Sequence, residues 1–342
     1  MFIIYIGFYV GHTIENDDIY INLLKDTNHT IDKKSYTFDK ISNNELDNYI
    51  LESADIIICG NYSMYIKNIN FIKLIYPYIN KIIYTIKEPI EFNDQLMHNI
   101  YMNGLFKYSI GCVPENNRNI KFPLYFYYNL KTSDKILEIS NYVKTITLEQ
   151  LLTKKYCCLI NRHDMGNTRV NIYKKLIKLG NIICPSTLLN NFSNEQFEEI
   201  GREIFQKEFI FSICPENFIV KLEGYVTEKL MIACCCGNLP IYYGKLDDID
   251  KQIFNINRII LYDPVSEESL NNTYNFIKDL ISDPIKLYNF YKQDIFMENA
   301  WDVMNKLKQN AKNRLEIFFN EIKENSINNN YLYLINNIIN KN

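Results

Sequence analysis

Residues with usable chemistry gather in one run of the chain, FIFSICPENFIVKLEGYVTEKLMIACCCGNLPIYYG, from Phe209 to Gly244. Glu216 and Asn217 stand just past an apolar strand, and Tyr225, Thr227, Glu228 and Lys229 stand where the next helix begins. A helix N-terminus carries free N–H groups and a partial positive charge, which suits a phosphate. Lys229 adds a full charge at that end. Glu228 would repel a phosphate, but a carboxylate accepts well from sugar hydroxyls. An acid and a base side by side therefore call for a ligand that carries both hydroxyls and phosphates, and a nucleotide sugar is such a ligand. In open α/β sheets the place where a strand hands over to a helix is where ligands bind.

A second crossing of the same kind is Asn161-Arg162-His163-Asp164-Met165-Gly166-Asn167-Thr168-Arg169, between the strand YCCLIN and an amphipathic helix. Arg169, near the helix start, has the fork geometry for a bidentate phosphate contact. A solvated helix arginine is the plainer reading, and Arg162 and His163 are local competitors for the same task.

The elements that must position these residues alternate along the chain. Short apolar runs predict strands at 2–8, 56–60, 81–86, 108–112 and 120–126, with helices over 44–51, 68–79 and 94–103. From residue 156 the alternation resumes: strands at 156–161, 181–184, 209–214, 239–243 and 258–262. Helices follow over 168–179, 194–206, 225–236, 266–282, 284–292 and 300–323. Such alternation predicts an α/β fold with parallel, helix-covered sheets. The mixed-charge helical stretch 131–154 reads as the connection between two halves. The tetrad Tyr125-Phe126-Tyr127-Tyr128 offers an aromatic platform, though core packing is the default for such a run.

The ordered residues Glu216-Asn217, Tyr225 to Lys229, Ala233 to Gly237 and Leu239 to Gly244 resemble the signature of the α1,3-fucosyltransferase family. Asn161, Arg169 and Tyr173 are similar to a second segment of that family. Pro215 departs from it where an aromatic residue is usual, and so does the Cys234-Cys235-Cys236 run. The resemblance implies a GT-B fold, two Rossmann-like domains with a cleft between them. They are expected at 1–150, an N-terminal acceptor-side domain, and 151–342, a nucleotide-sugar domain with C-terminal helices. It implies an inverting transfer of fucose from GDP-fucose to a glycan hydroxyl, a reaction of protein glycosylation. Arg169 and Lys229 would neutralise the diphosphate in place of a metal. Glu228 would hold hydroxyls, Tyr225 would contact sugar or phosphate, Thr227 would join them at the helix start, and Asn217 and Glu216 would line the sugar pocket. Glu216 alternatively caps the next turn.

The family's general base is a glutamate in a turn after a strand of the first domain. Glu88, in Lys87-Glu88-Pro89 after KIIYTI, is the best match, and Glu91 is the fallback. No cofactor or metal is expected. Asp247-Asp248-Ile249-Asp250 only superficially resembles a metal motif and reads as a helix cap. Two alternatives stay open: a related transferase for another nucleotide sugar, and a non-catalytic nucleotide-binding relative.

Composition narrows the classes further. A chain of 342 residues with 47% hydrophobic side chains suits two ordinary domains, and a net charge of −3 gives no electrostatic case for nucleic acid. No GxGxxG follows the first strand, which disfavours a dinucleotide oxidoreductase. The nine cysteines are odd in number, sit mostly in apolar runs and lack paired CxxC spacing. They read as small buried hydrophobes of a reducing compartment. The opening run MFIIYIGFYV falls short of the roughly 20 residues a membrane span needs and has no basic leader. A cytoplasmic or otherwise soluble intracellular location is the expectation.

Overall fold

A computed structural model describes residues 2–8, 23–24, 29–36, 48–60, 76–86, 106–127, 133–220 and 223–324. The chain forms two compact units: Met1–Tyr127 together with Lys306–Asn342, and Tyr128–Asn305.

The first unit is built on β1 (Phe2–Phe8), β2 (Thr30–Tyr36), β3 (Ile56–Gly60), β4 (Ile82–Ile86), β5 (Tyr108–Gly111) and β6 (Asn119–Lys121), with α1 (Asn48–Ser53) entering β3. The strands run parallel in the order β2-β1-β3-β4-β5-β6. β4 and β5 are buried at every position, as expected where helices cover both faces of a parallel sheet. β2 was not foreseen. Its sequence TIDKKSY lacks an apolar run, and it lies at the sheet edge, where a strand does not need one. The strand expected over 120–126 stops at Lys121. Pro123 follows, and Leu124–Tyr127 form a 3-10 turn, consistent with a residue that has no N–H to give to a ladder.

The second unit carries α2 (Ser133–Thr145), α3 (Leu148–Thr153), β7 (Lys155–Cys158), α4 (Val170–Leu176), β8 (Ile182–Ile183), α5 (Asn194–Ile200), α6 (Arg202–Lys207) and β9 (Phe209–Ile213). It continues with α7 (Glu228–Cys235), β10 (Leu239–Tyr242), β11 (Ile260–Leu261), α8 (Glu267–Ser282), α9 (Pro284–Tyr291) and the start of α10 (Ala300–Glu324). Its five strands are also parallel, in the order β8-β7-β9-β10-β11. The winding reverses between β7 and β9, which makes their carboxyl ends the switch point where ligands bind in such sheets. The helix foreseen over 194–206 is two helices that meet at Gly201.

α7 has no polar face. Leu230 to Cys236 are all buried, with small side chains from Ala233 onward. It closes in a Schellman turn, with Gly237 at φ 76°, its N–H on Cys234 O at 2.9 Å and Asn238 N on Ala233 O at 3.0 Å. The Arg258 guanidinium, 1% exposed, caps the same end through Asn238 O at 2.7 Å and Gly237 O at 3.1 Å.

The units differ from the expected division at 150/151 at two places. α2 belongs with the second unit, where Ile146, just beyond it, accepts from Tyr288 Oη at 3.2 Å and Lys292 Nζ at 3.0 Å. The later part of α10 belongs with the first. There Phe318 stacks on Tyr108 at 4.0 Å, His29 meets Glu316 at 2.7 Å, and Arg314 donates to Asn119 O at 2.9 Å and pairs with Glu115. Tyr125 is fully buried and Phe126 stacks on Phe122 at 4.6 Å, so these two aromatics are core packing. The side chains of Tyr127 and Tyr128 lie outside the described residues. The eight described cysteines are buried, and none forms a disulfide with another described residue. No helix among the described residues is long and apolar enough to cross a membrane.

Candidate functional site

The sequence-selected residues of the second unit come from two loops at its switch point, the one leaving β7 and the one leaving β9. Glu216 joins them. Its carboxylate is 0% exposed. Oε1 accepts from Thr227 N at 2.9 Å and Tyr242 Oη at 2.9 Å, while Oε2 accepts from Thr227 Oγ1 at 2.8 Å and faces Lys229 Nζ at 3.5 Å. A buried carboxylate is tolerated when its lone pairs are filled in this way. Glu216 was expected either to line a sugar pocket or to cap the next turn. Its oxygens are engaged in the interior, at the start of α7, so it anchors the site from behind.

Thr227, 1% exposed, is the N-cap of α7, with its hydroxyl 3.5 Å from Lys229 N and 2.9 Å from Lys229 Nζ. Lys229 is therefore folded back along the cap between Glu216 and Glu228, the latter 3.6 Å away. Its side chain keeps 15% exposure and that of Glu228 keeps 34%, which makes Glu228 the most open of the acidic groups here. Burial raises the Glu228 pKa, but Lys229 and Arg202 outweigh it and hold the carboxyl below its ordinary 4.5. Glu228 is thus an ionised acceptor at neutral pH. Asn217 is half-buried, and its Oδ1 accepts no hydrogen bond among the described residues. Tyr225 is 3% exposed and lies within electrostatic range of Arg169.

Arg169 is 2% exposed at the N-cap position of α4. One guanidinium nitrogen donates to His163 O and another to Pro215 O at 3.4 Å. Its Nε is buried with no partner among the described residues. Burial lowers its pKa, opposed by Glu216 and Asp164, and a guanidinium stays charged regardless. Arg162 and His163, the local competitors, are exposed. Asp164 holds the entry to α4 by accepting from Arg169 N at 3.2 Å and Val170 N at 2.8 Å.

The structure thus brings together Arg169, Glu216, Tyr225, Thr227, Glu228 and Lys229. Glu88 and Glu91 lie outside the described residues. The Asp247–Asp250 carboxylates close their own turn. Asp247 Oδ1 accepts from Ile249 N and Asp250 N at 3.0 Å each, and Asp250 Oδ2 from Asp247 N at 3.1 Å. Four participants were missed by sequence reasoning. Asp164 is a capping acid just before a helix, a signal that was open to reading. Tyr242 lies inside the matched signature. Thr168 and Arg202 carry no local signal. Two cations, one partly exposed carboxylate and a helix N-terminus at a switch point can together bind a ligand that is anionic at one end and hydroxylated at the other.

No family model and no curated protein matches the chain. Its fold is similar to a crystal structure of α1,3-fucosyltransferase with GDP-fucose, at TM-score 0.59 and 16% identity over 96% of this chain and 91% of that one. It is similar also to α1,3-fucosyltransferase with GDP, at TM-score 0.60 and 17% identity over 95% and 91%. A further α1,3-fucosyltransferase crystal structure matches at TM-score 0.59 and 15% identity over 95% and 91%. At such identities the likeness is one of fold, and the chain, with its two parallel α/β sheets, has the GT-B fold of the α1,3-fucosyltransferase structures.

Proposed function

We propose that this protein is an inverting glycosyltransferase that moves fucose from GDP-fucose to a glycan hydroxyl. The observation that carries the reading is the convergence of Arg169, Lys229 and Glu228 at the switch point of the second sheet, with Lys229 and Thr227 at the start of α7. The fold it shares with α1,3-fucosyltransferases bound to GDP and GDP-fucose supports it.

In this reading the second unit holds the donor. Arg169 and Lys229 stabilise the diphosphate as negative charge builds on it, the part a divalent ion takes in other transferases. Glu228 and Asn217 orient hydroxyls of the ribose or the transferred sugar, and Tyr225 packs beside Arg169. The first unit supplies the base. Glu88, two residues beyond the end of β4, takes the proton of the acceptor hydroxyl. That oxygen forms the new bond at the anomeric carbon while the bond to the diphosphate breaks on the opposite face, which inverts the configuration.

Calorimetric binding without added metal tests this against GDP, UDP, GDP-fucose, GDP-mannose and UDP-galactose. Selective binding of GDP and GDP-fucose is expected. Binding of UDP compounds alone would replace the donor, and binding of none would overturn the reading. Lys229→Met and Arg169→Met should each weaken GDP binding by about 100-fold, the scale of losing one charge-assisted contact in a desolvated site.

A further inference from the structure

Tyr242, the last residue of β10, has no part in the function proposed above. It is 0% exposed, and its hydroxyl donates to Glu216 Oε1 at 2.9 Å. That carboxylate in turn holds the N-cap of α7, through Thr227 N and Oγ1, and the ammonium of Lys229. The ring occupies space that another residue keeps open. A Cβ placed on Gly244 would run into the Tyr242 hydroxyl and lie 2.5 Å from its Cζ, closer than real side-chain atoms pack. Two independent features of the strand end, a buried phenol and a glycine that leaves room for it, therefore converge on one carboxylate oxygen.

We propose that Tyr242 is a positioning residue of the nucleotide site, acting through Glu216 to hold Lys229 against the start of α7, with Gly244 providing clearance for its ring. The chain of contacts is short. Without the phenol, Glu216 Oε1 keeps Thr227 N alone, and the carboxylate is less firmly held about its last torsion. Oε2, which accepts from Thr227 Oγ1 and faces Lys229, shifts with it, and the Glu216 contact that helps hold Lys229 weakens. Glu216 also carries the carbonyl on which Thr168 donates at 2.8 Å, so the same glutamate registers the loop that bears Arg169. The inference rests on the reading of this site as one that binds a nucleoside diphosphate, and the experiment separates the two.

The test is a double-mutant cycle on GDP affinity with wild type, Tyr242→Phe, Lys229→Met and the double variant. Tyr242→Phe is expected to weaken GDP binding about ten-fold, the scale of one hydrogen bond to a charged group, and to add nothing in the Lys229→Met background. An equal loss in both backgrounds, or none in either, would sink the proposal, because a general structural effect does not depend on Lys229. A readout that needs no nucleotide runs in parallel. Amine acylation followed by peptide mass spectrometry should label Lys229 several-fold faster in Tyr242→Phe, measured against Lys251 as an internal standard. Gly244→Ala, which crowds the same ring, should give the same increase and serves should Tyr242→Phe fail to fold. Unchanged Lys229 labelling in a folded variant overturns the relay whatever GDP does. If GDP binds no form of the protein while Lys229 labelling rises as expected, the relay stands and the nucleotide reading falls.

Discussion

Thr168 Oγ1 donates to the backbone carbonyl of Glu216 at 2.8 Å, fully buried, across 48 residues of sequence. With the Arg169 guanidinium on Pro215 O at 3.4 Å, it fastens the loop after β7 to the loop after β9. It sits one residue before Arg169 on one side and at the head of the α7 cap on the other. Thr168→Val keeps the shape and removes the donor. It should cost about 1–2 kcal/mol of stability for the carbonyl left without its partner, read by urea denaturation. If the site is the one proposed, it should also weaken GDP binding several-fold. A variant with wild-type stability and affinity would mean that the two loops are held elsewhere.

Glu88 distinguishes a catalyst from a binding module. Glu88→Ala should leave GDP affinity within about two-fold while lowering turnover by at least 100-fold, the scale at which a positioned general base acts. Isothermal calorimetry and a donor-consumption assay measure the two quantities on the same preparation. Full activity in the variant would move the role to Glu91 or away from both.

The cysteines make an alkaline prediction. Burial pushes the thiols of Cys158, Cys184, Cys234 and Cys236 up from 9.0 to about 12, and those of Cys157, Cys214 and Cys235 well above 9. In the unfolded chain they ionise at the ordinary value. The folded state therefore keeps its full advantage below pH 9 and loses it as the pH climbs beyond. Denaturation midpoints should be flat from pH 7 to 8.5 and fall steeply above 9. Native protein should leave these thiols unalkylated at pH 8.5, by peptide mass spectrometry. Rapid native alkylation of any of them would contradict their placement.

Arg258 makes a stability prediction at the opposite end of α7. Among the described residues its guanidinium pairs with no carboxylate. It donates to the carbonyls of Gly237, Asn238 and Tyr291 and lies over the Tyr291 ring at 5.2 Å. A cation at a helix C-terminus is favourable. Arg258→Met fills the volume and leaves three buried carbonyls short of a donor, so a loss of about 2–4 kcal/mol is expected. A change under about 0.5 kcal/mol by thermal or chemical denaturation would show that water replaces the guanidinium freely.

What the sequence determined by itself is the material near the switch point. Apolar runs separated by amphipathic ones made a parallel α/β chain legible, because strand burial and helix periodicity are local patterns. Phe2–Phe8 and Ile56–Gly60 were readable to the residue for that reason. The ordered signature from Glu216 to Gly244 likewise picked out residues that do meet in space. Tertiary structure decided what is not local. The edge strand Thr30–Tyr36 takes its conformation from pairing with β1, not from its own composition. The division of the chain followed long-range packing, with α10 returning to the first sheet. Burial then divided the labour within the signature. Glu216, closed in by Thr227, Tyr242 and Lys229, became an anchor, while Glu228, next to a lysine and still reached by solvent, remained available to a ligand. Two glutamates of identical chemistry differ here only in what surrounds them, and surroundings are set by the fold.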